Sequence, residues 1–185
     1  LDKMRKVTPT IVDYLDPYVK QGYIFEQDET PAQKLADIAC LFEGVREQGG
    51  DNKGKLVEAF QKTVDAKAVS EPWCMCFVQT CIGYIENVLG LKSDVKSTES
   101  VKNFLPNEIP KYFPSVGDVV AWVSHAGPGH CGIVVSINKD GSFDTIEGNT
   151  SDPKGFDRDG NGVYRKTRSI KDMGKYKFAG FVKVF

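Results

Sequence analysis

Cys74 stands in Ser70-Glu71-Pro72-Trp73-Cys74, directly ahead of the apolar run Met75 to Leu89. Proline is tolerated only in the first turn of a helix, so the cysteine is expected at a helix N-terminus. Unpaired backbone N–H groups and the positive end of the helix dipole favour a thiolate there, and the thiolate is the nucleophile. A thiol nucleophile needs a base within reach and a group that orients the base. The chain has two histidines, His125 and His130. His130 opens a β-like run and can be held rigidly, so it is the expected base. His125 lies in Ser124-His125-Ala126-Gly127-Pro128-Gly129, a loop suited to bordering a groove. Glu147 and Asn149 are two apart at a strand end, and in an extended strand both side chains face the same way. An acceptor of either type can hold an imidazole N–H and select its tautomer. The chemistry open to this set is thiol-mediated acyl transfer.

Each residue also has a plainer reading: a buried cysteine, a satisfied histidine, a pair capping a turn. A rival grouping of Cys74, Cys76, Cys81, His130 and Cys131 as a zinc centre fits poorly. Zinc knuckles use cysteines spaced C-x₂₋₄-C, whereas C-x-C within a helix puts its two thiols on different faces. Five cysteines leave one over from any complete disulfide framework. Cys40 and Cys81 lie on apolar stripes and read as small core residues, and packing is the favoured role of Cys76. Asp157-Arg158-Asp159-Gly160-Asn161-Gly162-Val163 satisfies the opening positions of a calcium loop, with Asp157, Asp159 and Asn161 as ligands. The acidic twelfth position is missing, because Arg168 stands there. A polar turn between strands is the plainer reading. Calcium would be structural, and the chemistry requires no cofactor. Of the two tryptophans, Trp73 adjoins the nucleophile and Trp122 ends a strand beside the His125 loop. Each is a candidate for the wall of a substrate groove, with core packing as the alternative.

These groups need elements to hold them. Thr30-Pro31-Ala32-Gln33 is a helix start with a capping box and proline at the first position. Leu35, Ile38, Ala39, Phe42 and Val45 follow at helical spacing. After the polar loop Asp51-Asn52-Lys53-Gly54, a second helix is expected from Lys55 to Ala68. The helix that starts near Pro72 carries two adjacent apolar stripes and should be central and buried. Ser97 to Leu105 has room for one more short helix. The pattern then switches to five β-like runs, 117–123, 131–137, 142–147, 163–170 and 178–184, separated by Gly, Asp and Asn turns. Helices followed by an antiparallel meander predict an α+β fold. Residues 1–29 read as an N-terminal extension or arm, with a short helix broken at Pro17, and 30–185 as the catalytic domain.

Composition narrows the function classes. The 185 residues carry a net charge of −1 and are 41% hydrophobic. This suits one sizeable core and gives no basic surface for nucleic acid. No apolar run approaches the ~20 residues that span a bilayer. The opening Leu1-Asp2-Lys3-Met4-Arg5-Lys6 leads into Pro and Asp, so no signal peptide is expected within the chain. A monomer is expected.

The series Gly44 to Gly54, Pro72-Trp73-Cys74-Met75-Cys76-Phe77-Val78, Gly117-Asp118-Val119-Val120, Gly129-His130-Cys131-Gly132-Ile133-Val134 and Glu147-Gly148-Asn149-Thr150 resembles the CHAP family of cysteine, histidine-dependent amidohydrolases and peptidases, in the NlpC/P60 superfamily. The resemblance covers roughly residues 30–185. It implies a papain-like fold, with helices packed on an antiparallel sheet of about five strands and the nucleophile at a helix N-terminus. It also implies hydrolysis of peptidoglycan amide bonds in the bacterial cell wall, in the periplasm or outside the cell, as in phage lysins, wall-remodelling enzymes and antibacterial effectors. Cys74 matches the family nucleophile, His130 the base, Glu147 the orienting residue and Asn149 the polar fourth member. Asn52 is a groove residue on the resemblance alone. Cys76 and Cys131 depart from the usual pattern. The alternatives are a papain-like hydrolase of another amide and a catalytically silent wall-binding module.

Overall fold

The computed structural model describes residues 4–20, 28–107, 112–152 and 160–185. Five helices precede five strands among these residues: α1 (Pro9–Lys20), α2 (Pro31–Leu41), α3 (Lys55–Asp65), α4 (Cys74–Leu89), α5 (Val101–Phe104), β1 (Val119–Ser124), β2 (Gly129–Ile137), β3 (Phe143–Thr150), β4 (Gly162–Arg168) and β5 (Tyr176–Val182). The strands form one antiparallel sheet in the order β4-β3-β2-β1-β5. The fold is α+β, helices followed by an antiparallel sheet, as the sequence pattern predicts.

Local sequence explains the helix that matters most. Trp73 occupies the N-cap of α4, Cys74 is the first helical residue, and Gly90 closes the helix in the left-handed conformation. Every residue from Cys74 to Ile85 is buried, so α4 is the hub of the core. It packs against α2 and α3 on one side and β2 and β3 on the other. At the start of α2, Thr30 accepts from the Gln33 amide while the Gln33 side chain returns to the Thr30 amide.

The sheet separates two apolar clusters. Val119, Ala121, Cys131, Ile133 and Ile146 join the helices in the main core. Val120, Trp122, Val134, Phe143 and Phe181 pack together in a second, smaller cluster. Strand alternation assigns neighbouring residues to the two.

Three expectations need correction. Proline 17 does not interrupt α1, which runs through it to Lys20. The proline sits in the last turn, and the helix is held by Ile11 and Leu15, both fully buried, and by Tyr14 stacked 5.0 Å from Phe42. The helix expected over Lys55 to Ala68 is α3, and it stops at Asp65 because Ala66 turns left-handed. Cys40 is only partly buried, whereas Cys81 is a core residue as expected.

The amino-terminal segment is tied to α4 by charge as well. Arg5 donates from Nε to Glu86 Oε1 at 2.7 Å and from Nη2 to Glu86 Oε2 at 3.1 Å. Its Nη1 donates to Gln79 Oε1 at 2.9 Å.

Candidate active site

The first turn of α4, the start of β2 and the end of β3 meet at a cleft of about 570 Å³. Cys74, His130, Asn149, Asn52, Glu47 and Arg168 are among its lining residues. Cys74 is 7% exposed and lies on the cleft wall, with its sulfur 3.9 Å from the Gly129 carbonyl oxygen.

The thiol is surrounded by groups that favour its ionised form. Its pKa is held well below the usual thiol value. A hydrogen bond from the Cys131 side chain is the largest cause. Burial opposes it, and the bond and charge of His130 and the Met75 amide add to it. That amide belongs to the first turn of α4, where backbone N–H groups have no helical partner.

His130 bridges the thiol to a carboxylate. Its Nε2 lies 2.7 Å from Glu147 Oε1, which leaves Nδ1 for the sulfur. Burial works against the imidazolium, but the charge and bond of Glu147 and the bond to Cys74 outweigh it. The result is a pKa raised to about 10. A lowered thiol and a raised imidazole favour a thiolate–imidazolium pair at neutral pH.

Glu147 is fully buried and would be costly as a lone charge. Burial is the largest influence on it and pushes its pKa up. The bonds of Arg168 and the charge of His130 overcome this and hold the carboxyl well below the usual carboxylate range. Arg168 grips the carboxylate with two bonds, Nη2 to Oε1 at 2.6 Å and Nε to Oε2 at 2.9 Å. Thr145 Oγ1 donates to Oε2 as well. Arg168 stands opposite Phe143 in the β3–β4 ladder and reaches back along the sheet. The carboxylate thus holds the imidazole from below while the guanidinium holds the carboxylate.

Two glycines make this approach feasible. A Cβ on Gly132 would come within 2.5 Å of Glu147 Cγ, so only glycine leaves room for the carboxylate arm beside His130. A Cβ on Gly148 would fall 2.6 Å from Phe77 Cβ and 3.0 Å from the Trp73 ring. Glycine there lets β3 lie directly on α4.

The sequence-derived residues fare unequally. Cys74, His130 and Glu147 are brought into one chain of contacts. Asn149 lines the cleft, at a point where the strand is irregular. The β3–β4 register shifts between Glu147 and Thr150, and Asn149 is left-handed at φ 51°. Asn52 also lines the cleft, with Nδ2 donating to the Ser70 carbonyl at 3.4 Å. Trp73 and Trp122 are corrected to core residues, both 0% exposed. Trp73 stacks on Phe60 and donates from Nε1 to Glu47 Oε1 at 2.9 Å. Trp122 belongs to the second cluster and donates to the Lys171 carbonyl. His125 is exposed on the β1–β2 turn and is not part of the cleft lining.

Among the described residues, the cysteines do not form the rival zinc centre. The Cys76 thiol turns to Glu99 Oε1 at 3.6 Å, and the three-ligand grouping is Glu71, Cys76 and Glu99. Asp157 and Asp159 lie outside the described residues. Asn161 is within them, and its backbone bonds to Thr150 and Glu47. The following residues, Gly162–Arg168, form β4. Arg168 was the site residue that sequence reasoning passed over; its one signal was that it broke the calcium pattern.

Residues 66–149 match the family model for the CHAP domain. No curated protein and no solved structure matches the chain. The matched stretch holds Cys74, His130, Glu147 and Asn149, while Arg168 lies beyond it. CHAP domains are typically hydrolases of the amidase or peptidase kind. The five-stranded antiparallel sheet and central helix are consistent with that match.

Proposed function

We propose that this protein hydrolyses an amide bond in the peptide part of peptidoglycan, with Cys74 as nucleophile. The observation that carries this reading is His130 suspended between the Cys74 thiol and the buried Glu147 at the wall of an open cleft. A catalytically silent module has no need to keep a charged carboxylate in its interior.

In the proposed mechanism the Cys74 thiolate adds to the scissile carbonyl. The oxyanion forms near the first-turn amides of α4, which offer preorganised N–H donors. His130 passes its proton to the leaving amine, and the carbon–nitrogen bond breaks to give a thioester. Neutral His130 then takes a proton from water as it attacks the thioester, and Cys74 leaves as thiolate. Glu147 keeps the ring in one tautomer throughout, and Asn149 contributes a polar group beside it. All steps use groups of this chain, and no cofactor enters.

The match to the CHAP-domain model supports the cell wall as site of action, and a lysin or an antibacterial effector is the setting we favour. The test is clearance of purified cell walls by the wild type and by Cys74→Ala. Loss of clearance with an unchanged thermal melt is expected, and retained clearance would remove Cys74 from the mechanism. Mass spectrometry of the released muropeptides then identifies the bond from its new termini. Walls left intact by a protein whose Cys74 still reacts quickly with iodoacetamide would favour another amide substrate.

A further inference from the structure

Three donor side chains converge beside the first turn of α4 without lining the cleft. They are Glu71, in the segment that leads into the helix, Cys76, the third helical residue, and Glu99, two residues ahead of α5. Their ligand atoms all lie within 4.8 Å of one another. The Cys76 sulfur is 3.6 Å from Glu99 Oε1. Cys76 is 1% exposed, and both glutamates are half-buried. The main chain at Glu71 is fixed by Gln61, whose Nε2 donates to the Glu71 carbonyl at 2.8 Å.

The glutamates lack the partners that such a setting calls for. Glu71 Oε1 is buried and accepts no hydrogen bond among the described residues. Among the same residues neither glutamate pairs with a lysine or arginine. A buried carboxylate oxygen without a donor is costly, and two carboxylates cannot satisfy each other, because ionised oxygens only accept. Either a proton or a cation must stand between them. The thiol decides which. A shared proton needs only two carboxyls, whereas a sulfur with two oxygens is a donor set for a borderline-soft divalent ion such as zinc. The spacing agrees. Zinc–sulfur bonds of about 2.3 Å and zinc–oxygen bonds of about 2.0–2.2 Å, at a tetrahedral angle, put sulfur and oxygen about 3.6 Å apart.

We propose that Glu71, Cys76 and Glu99 bind a zinc ion, with water in the fourth position, which staples the head of α4 to the segment entering α5. Binding forms the zinc–sulfur bond and releases the Cys76 thiol proton to solvent. The ion offsets two of the three negative charges gathered there. Because α5 packs on β1 and β2, the staple ties the helix bearing Cys74 to the strand bearing His130.

The test uses the full chain, stripped of metal with a chelator and titrated with zinc or with cobalt. Expected are one zinc per chain at micromolar concentrations or below, and a melting temperature that rises with zinc and falls again with chelator. Cobalt should give a sulfur-to-metal charge-transfer band in the near ultraviolet. Glu71→Gln and Cys76→Ser should each weaken zinc binding by at least about 10-fold, the loss seen even for outer-shell partners of a metal. Cys76→Ser should abolish the cobalt band, and Cys74→Ala should keep it. Zinc that does not bind, cobalt bound without the band, or a band that Cys74→Ala removes would each overturn the proposal. Glu71 is partly exposed, so Glu71→Gln decides even if Cys76→Ser fails to fold. Metal content is read without wall clearance, so the failure of either reading leaves the other standing.

Discussion

Among the described residues the molecule buries two arginine–carboxylate knots, and they do different work. Arg5 and Glu86 fasten the amino-terminal segment to the far end of α4. Arg168 and Glu147 lie by the cleft, at the other end of the fold's chemistry. Both are two-pronged grips of a guanidinium on a carboxylate, the geometry that suits arginine best. In the first, the remaining donors close the knot, with Gln79, Ser93 and the Val95 carbonyl around the same guanidinium. In the second, one carboxylate oxygen is shared with His130. A knot that satisfies only itself fixes structure. A knot that lends an oxygen to a titrating ring also sets that ring's charge.

The comparison breaks most visibly at Glu147. Glu147→Gln should lower kcat/KM for wall clearance by about 100-fold or more, the usual scale of positioned acid–base catalysis. It should also destabilise the fold by roughly 3 kcal/mol, since it leaves a half-buried guanidinium without its counter-charge. The pH profile provides the sign test. His130 is raised to about 10, so its protonated form, and the stability it brings, is present at neutral pH and lost as pH rises through that value. Without the Glu147 charge the alkaline limb of activity should therefore move to lower pH. An unmoved limb would mean that Glu147 does not set the ring's charge.

Arg168→Met comes next. Activity should fall by about 10-fold or more as the carboxylate loses its orientation. Glu147 is depressed, so its contribution is present above the ordinary carboxylate range and lost as pH falls. Removing the arginine should shift that loss, and the acid limb of activity, to higher pH. A purely structural arginine would lower the melting temperature without moving the limb. Arg5→Met should do just that. It strands the partly buried Glu86, costing about 2–4 kcal/mol of stability, while kcat/KM measured well below the melt stays within about twofold. The smallest effect belongs to His125→Ala. That residue touches neither knot, and clearance rates should stay within about twofold of wild type. A large drop would transfer the role of base from His130 to His125.

How far the sequence foretold these arrangements depended on distance along the chain. The capping box at Thr30 and the placement of Cys74 at the head of α4 were readable because proline and cap chemistry act over three or four residues. His130 and Glu147 were singled out because a thiol mechanism calls for such groups and few candidates exist, and the fold pairs them. Arg168 was missed because its partner is 21 residues away on another strand, a pairing that the ladder register creates. Asn149 was harder to place, because the ladder register shifts between Glu147 and Thr150 at a bulge that no residue type announces. The tryptophans were ambiguous for a different reason: size and apolarity suit a groove and a core equally. Proline 17 misled because helix propensity yielded to the burial of Ile11 and Leu15.

The bond from Trp73 to Glu47 has an optical consequence. An indole in an apolar stack whose N–H is tied to a carboxylate of the cleft wall is a fluorophore wired to the binding surface. The second indole, Trp122, has the Arg168 guanidinium 5.7 Å from its ring and so senses the other end of the same machinery. Replacing either one by phenylalanine leaves a single tryptophan, and the two variants together form a pair of built-in reporters on two parts of the proposed site without any added label.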